Sequence, residues 1–244
     1  MKYSFCCLFA ALILMHSPCH AGFFNDLLST VTQSTGQQSS LDNNTIVKGL
    51  KEALATGTER AVTEVARTDG YFGNQMIKIL LPSKIQKAAD MLATIGYQQQ
   101  VDELVLSMNR AAEKAAPRAA VFFGDAIRQM TLEDANAILN GGDTAATRYF
   151  EKVTRSRLFD DFKPTVMTSM DQVGTVRAYK NMIGSYAASP VAALAGVPSL
   201  DLDAYITNKA LDGLFKMVGE EEKKIRTNPS AQTTELLRKV FGRN

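Results

Sequence analysis

Residues 101–119 read VDELVLSMNRAAEKAAPRA, and the placing of the apolar positions in this stretch decides the fold class. Val101, Leu104, Val105, Met108, Ala112 and Ala115 recur at intervals of three and four, which is the period of an amphipathic helix and not the alternation of a strand. Beside this stripe run Asp102, Asn109 and Glu113. Pro117 deprives the Glu113 carbonyl of its helical hydrogen bond, so a bend is expected next to that acid. The simple expectation for the polar stripe is a solvated face with a proline-shaped bend; the alternative is that it lines a cleft. Asp102 and Glu113 lie about 16 Å apart along a straight helix, too far to act as one acid/base pair.

The same period runs outward in both directions. Ile46, Leu50, Leu54, Ala61 and Val65 stripe a first long helix that ends at Asp69 and Gly70, and Ile85, Ala88, Leu92 and Ile95 stripe a second that stops at Gly96. Between them IKILLP (77–82) is the one candidate strand, but Pro82 and the lack of a pairing partner favour a short helix or an extended connector. Residues 118–130 carry Phe122, Phe123, Ile127 and Met130; Thr131 then opens a new helix as N-cap, with Asp134 in the capping-box position. Residues 144–188 are helical with an expected interruption at Pro164, and SPVAALAGVPS (189–199) is a loop. Ile206, Leu211, Leu214, Val218 and Ile225 belong to a helix before Asn228 and Pro229, and Leu236, Leu237, Val240 and Phe241 to a closing one. Eight or nine amphipathic helices with short connections, and no repeat of fixed period, predict a single-domain all-α bundle over residues 45–244.

The start of the chain has a different character. MKYSFCCLFAALILMHSPCHA (1–21) has Lys2, an apolar stretch from Phe5 to Met15 and a polar end closing on Ala21, the pattern of a secretory signal peptide. The apolar run is shorter than the roughly 20 residues a membrane-spanning helix needs. Cleavage after Ala21 is expected; lipoprotein processing at Cys19 is the rival, ill served by His16, Ser17 and Pro18. Cys6, Cys7 and Cys19 are the only cysteines and His16 and His20 the only histidines, and the chain has no tryptophan. A mature chain beginning at Gly22 would therefore have no disulfide, no Cys–His or Ser–His–Asp nucleophile and no zinc site built from imidazole or thiolate. No cofactor is expected. Removing Lys2 leaves 26 basic against 25 acidic residues, a balance that does not point to nucleic acid or an anionic membrane. Residues 22–44 are expected to be a short amphipathic segment, with Phe23, Phe24, Leu27, Leu28 and Val31 at helical spacing, followed by a polar Ser/Thr/Gln linker. With only Asp26 charged, the segment is expected to dock on its own domain and not on a membrane surface.

Three stretches, MNRAAEKAAPRA (108–119), DAIRQMTLEDANAILNGGDTAATRYF (125–150) and LDGLFKMVGEEEKKIRTNPSAQTTELLRKVFG (211–242), resemble the bacterial domain of unknown function 4197. The likeness runs from about Leu41 to Gly242. It implies an exported, mostly helical protein of Gram-negative bacteria with no assigned biochemical role.

Candidate site residues come from these stretches: Asn109, Arg110, Glu113, Asp125, Asp134, Thr147 and Arg226. The corner ILNGGDTAATRYF (138–150) invites comparison with ligand loops, but Asp143 at the helix entrance opposes a phosphate, and the calcium-loop alternation from Asp134 fails at Ile138. It is expected to be a helix joint, with Gly141 or Gly142 in the left-handed conformation and Asp143 or Thr144 as the next cap. Glu220, Glu221 and Glu222 are expected to form a solvated charge run, with Glu222 and Arg226 spaced as a surface ion pair. Arg226, just before the Asn228-Pro229 turn, is within reach of the preceding helix or of an acid elsewhere. Arg148, Lys152 and Arg155 form a surface stripe diluted by Glu151, Asp160 and Asp161.

Two functional classes follow. The first is a periplasmic or secreted, non-enzymatic protein that binds an envelope protein or an apolar ligand, served by the eight methionines after residue 21. The second is a carboxylate-based hydrolase or lyase acting on an envelope polymer, which requires two acids among Glu113, Asp125 and Asp134 to approach within roughly 5 to 10 Å.

Overall fold

The computed structural model describes residues 43–188 and 201–228. Among these the order is α1 (Asn43–Ala66), α2 (Ser83–Thr94), α3 (Gln98–Ala115), a 3-10 turn (Ala116–Arg118), α4 (Ala119–Gln129), α5 (Leu132–Leu139), α6 (Ala145–Val173), α7 (Thr175–Ala187) and α8 (Leu202–Thr227). The expected all-α bundle is what forms, and no strand occurs among the described residues. The described residues belong to one unit spanning Gly36–Asn244. The leader, the amphipathic segment at 23–31, the 189–199 loop and the closing helix lie outside the described residues.

The α3 stripe becomes the centre of the core: Leu104, Met108, Ala112 and Ala115 are fully buried. α3 packs against α6 and α7, while α8 packs against α6, α1 and α3. Phe123 of α4 joins these layers, with its ring 5.3 Å from Phe150 of α6 and 6.0 Å from Phe215 of α8. Such aromatic pairs add about 0.5–1.5 kcal/mol each beyond their buried area.

Prolines and glycines divide the chain differently from expectation at one place. Pro117 ends α3 and sits in the 3-10 turn, as its missing N–H demands. Pro164, however, does not interrupt its helix: α6 runs unbroken through it from Ala145 to Val173. Leu158 and Phe162 before it, and Val166 and Met170 after it, form one buried stripe. Each contributes about 1.5–3 kcal/mol by burial, together more than the roughly 3 kcal/mol that an interior proline costs. The break falls instead at Gly174, whose φ of 79° is the left-handed conformation that glycine accepts without penalty. Gly96, with φ of 95°, closes the turn after α2 in the same way.

The connector between α1 and α2 behaves as a strand without a sheet. Ile77, Ile79 and Leu81 are buried, whereas Leu80 between them is 58% exposed, so the chain is extended and alternates as IKILLP implied. Up to Lys78 turn bonds within the connector meet part of its backbone, and at Ile79 and Leu80 side chains of α3 and α8 take the place of a neighbouring strand.

Candidate functional site

Two buried polar knots and one open groove gather most of the residues singled out by sequence. The first knot is built by α3. Asn109 Nδ2 donates to the Ile79 carbonyl at 2.8 Å, and its Oδ1 accepts from the Ile79 N–H at 2.8 Å. One carboxamide thus replaces the neighbouring strand that Ile79 lacks. One turn later Glu113 Oε1 accepts from the N–H groups of Tyr71 and Phe72 at 3.1 and 3.2 Å. Its Oε2 accepts from Arg110 Nη1 at 2.6 Å, and Arg110 Nη2 donates to Asp69 at 2.7 Å. Asp69 holds φ of 64°, a conformation rare outside glycine, and this turn presents two successive N–H groups to the carboxylate. Asn109 is fully buried and Glu113 only 3% exposed, which corrects the expectation of a solvated stripe. Asp102 alone of the three is exposed. The physical reason is that the 69–81 connector crosses this face of α3 and needs polar partners there.

The connector is held from α8 as well. The Tyr71 hydroxyl donates to the Ala210 carbonyl at 2.6 Å, and Tyr205 donates to the Leu80 carbonyl at 2.8 Å. A Cβ on Gly213 would lie 2.7 Å from the Tyr71 ring, so glycine is what lets α8 approach. Burial, with Glu113 and Asp212 nearby, pushes the Tyr71 phenol far above its ordinary value. A raised folded value favours the neutral form, so its contribution is complete below the ordinary phenol value of about 10 and is lost as pH rises above it. In a spectrophotometric titration the Tyr71 phenolate is therefore expected to appear only as the protein unfolds in alkali. Tyr71→Phe should remove that last phase; a Tyr71 that ionises in the folded protein would contradict the geometry.

The second knot forms where α5 hands over to α6. The Glu222 carboxylate of α8 accepts from the N–H groups of Ala146 and Thr147 at 2.9 and 2.8 Å, and from the Thr147 hydroxyl at 2.8 Å. Arg226 donates to Glu222 through Nε and Nη2, at 3.0 and 2.8 Å, and Nη2 also reaches the Ile138 carbonyl at 2.9 Å. Arg226 thus bonds to an acid of its own helix and to a carbonyl of α5, tying the C-terminal turn of α5 through Glu222 to the start of α6. Here the sequence expectations need three corrections. Glu221 and Glu222 are buried, at 9% and 7% exposure, so the run is not a solvated one. Gly141 and Gly142 are not left-handed, since Gly96 and Gly174 are the only glycines of positive φ among the described residues. A Cβ on Gly141 would lie 2.4 Å from the Ala145 Cβ, so close approach and not φ calls for glycine there. Finally, Thr144 is the N-cap of α6 without a capping side-chain bond; Glu222 supplies that service from another helix, where its charge also suits the helix N-terminus.

Asp125 and Asp134 take part in neither knot. Asp125 pairs with Arg128 of its own helix. Asp134 completes the capping box with Thr131, as its spacing implied. Thr147 meets Glu222 and not Glu113. Glu113, Asp125 and Asp134 thus bond to three different sets of partners. Among the described residues no group of three or more His, Cys, Asp and Glu side chains is placed to hold a metal ion. No helix among them is long and apolar enough to cross a membrane.

Against the second knot lies a groove of about 500 Å³ between α6 and α8, within the roughly 300–1,000 Å³ of ligand sites. The bond from Thr147 to Glu222 and the ion pair of Arg155 with Asp212 at 2.5 Å show that the two helices run antiparallel. Thr144, Arg148, Glu151 and Arg155 line one wall; Asp212, Lys216, Gly219 and Lys223 belong to the other. A cavity in the core beside Glu222 holds about 20 Å³, the space of a single water.

A family model described as a protein of unknown function, DUF4197, matches residues 40–242. The chain belongs to the DUF4197 family. No curated protein and no solved structure matches it. The DUF4197 match spans both knots and the groove, so the residues that build them lie inside the family's domain. What sequence reasoning missed is Glu222: its own helix register carries the signal, because it falls four residues after the buried Val218 and three before the buried Ile225.

Proposed function

We propose that this DUF4197 protein is exported to the periplasm and acts there, without catalysis, as a binding protein of the cell envelope. The observation that supports it best is the α6/α8 groove, which is open and lined by eight charged side chains. The motif residues Asn109, Glu113, Glu222 and Arg226, by contrast, are occupied with backbone and with one another. A scaffold held rigid by buried polar knots, with a preformed groove beside one of them, suits recognition. The core cavity beside Glu222, of about 20 Å³, is too small for an apolar ligand, and the groove is lined mainly by charged side chains, so a polar partner is favoured.

Site-specific photo-crosslinking in intact cells tests this reading. A photoreactive residue at Thr144 or Lys223 is expected to give a discrete envelope adduct, while one at the exposed Arg177 of α7 gives none. Adducts of equal yield from all three positions, or from none, would remove the support. N-terminal sequencing of the protein recovered from the periplasm should begin at Gly22; recovery of uncleaved chain from the cytoplasm would refute export.

A further inference from the structure

The groove's walls specify what kind of partner fits. Most of its charges cancel within the protein: Arg155 pairs with Glu151 at 3.0 Å and with Asp212, and Lys216 pairs with Glu220 at 2.9 Å. The mouth beside the α6 N-terminus is different. The Arg148 side chain donates to the Thr144 hydroxyl, at 3.1 Å, and among the described residues neither Arg148 nor Lys223 is in an ion pair, although Lys223 acts through space on Glu220, which Lys216 already pairs. Asp143 is the acid of this lining that no described ion pair engages. A polyanion would meet as many acids as bases along these walls, whereas a chain with one acidic group at the mouth would meet Arg148 and Lys223, the two cations that no ion pair holds. The balanced walls beyond offer donors and acceptors alternately, as a peptide backbone does.

Gly219 adds an independent observation. It stands in the middle of α8, where glycine weakens a helix relative to alanine. Packing explains Gly213, but not Gly219: a Cβ there would meet only Thr144 and Thr147, at 3.6 Å or more, an ordinary contact. Gly219 is buried at the foot of the groove, and glycine there leaves the space beside Thr144 and Thr147 unfilled. From Thr144 to Arg155 the α6 wall is about 16 Å long, the length of roughly five residues of extended chain.

We infer that the α6/α8 groove binds a short extended peptide segment, with a carboxylate of that peptide seated between Arg148 and Lys223 and its backbone over Gly219. This rests on the binding-protein reading above and deepens it. The test is a titration of the ¹⁵N-labelled mature chain with N-acetylated pentapeptides of mixed sequence ending in glutamate. The same pool ending in glutamine amide, and inorganic phosphate, serve as comparisons. Amide shifts of Thr147, Arg148, Gly219 and Lys223 are expected with the acidic pool alone. The double variant Arg148→Ala/Lys223→Ala should weaken binding by about tenfold or more, and Gly219→Leu should abolish it. Gly219→Ala supplies a readout that a purely structural glycine would not give: a raised Tm together with weaker peptide binding. A Gly219→Ala protein that is less stable would overturn the assignment of Gly219 to the groove floor. Equal shifts with the neutral pool or with phosphate would leave a binding groove but overturn the acidic-peptide assignment. The absence of groove shifts with any probe, joined to the absence of cross-linked adducts, would overturn both.

Discussion

Glu222→Ala is expected to lower unfolding free energy by about 3–5 kcal/mol, the cost of breaking a buried ion pair from one side. Three donors at the start of α6, from Ala146 and Thr147, lose their acceptor at once. Arg226, only 13% exposed at its side chain, keeps its charge but loses its counterion. Urea denaturation should show the midpoint falling with the slope unchanged. The ion pair itself is separated from the capping role by a double-mutant cycle with Arg226→Ala. If Glu222 acts mainly through Arg226, the double variant is little worse than Glu222→Ala alone. If capping dominates, Arg226→Ala costs much less than Glu222→Ala. A loss below about 1 kcal/mol for Glu222→Ala, the scale of exposed pairs, would mean that the carboxylate is solvated after all.

The second large effect is expected at Glu113. Glu113→Ala leaves the N–H groups of Tyr71 and Phe72 and the Arg110 guanidinium without their acceptor, for an expected loss of about 3–4 kcal/mol. The damage should have a location. Native-state hydrogen exchange is expected to speed up over residues 69–81 before it does in α4 or α5, because Glu113 holds the connector and not the bundle. Asn109→Ala should accelerate exchange in the same segment through the Ile79 N–H, with a smaller loss of stability because no charge is stranded. Uniform acceleration across all helices would refute the picture of a locally pinned connector.

The bundle was legible in the sequence because apolar spacing is a dense, repeated signal: every helix from α1 to α8 carries it, and the Thr131/Asp134 cap is local enough to be seen in four residues. The polar knots were legible only in part. Asn109, Arg110, Glu113, Thr147 and Arg226 stood out as members of recognisable motifs, yet each has a partner tens of residues away: backbone groups for Asn109, Glu113 and Arg226, and the Asp69 and Glu222 carboxylates for Arg110 and Thr147. Composition describes Glu113 and Glu222 as charged and hence as surface. Helix register places both beside buried positions, and register was the better guide. Pro164 failed as a boundary for a related reason: its local penalty was visible, but the stripe that outweighs it was spread over both sides. The groove could not be foreseen, since its walls come from α6 and α8, which the sequence separates widely and the fold sets antiparallel.

The cap that α6 borrows from Glu222 sets an order on the making of this protein. When the ribosome has finished α6, its first turn still has unmet N–H groups, because their acceptor lies 75 residues further along the chain. The connector is in the same position, since Tyr71 waits for Ala210 and Leu80 for Tyr205. A nascent chain lacking α8 therefore holds two incomplete polar sites and an uncovered core face, and their last partner is in the chain only once residue 226 has been added.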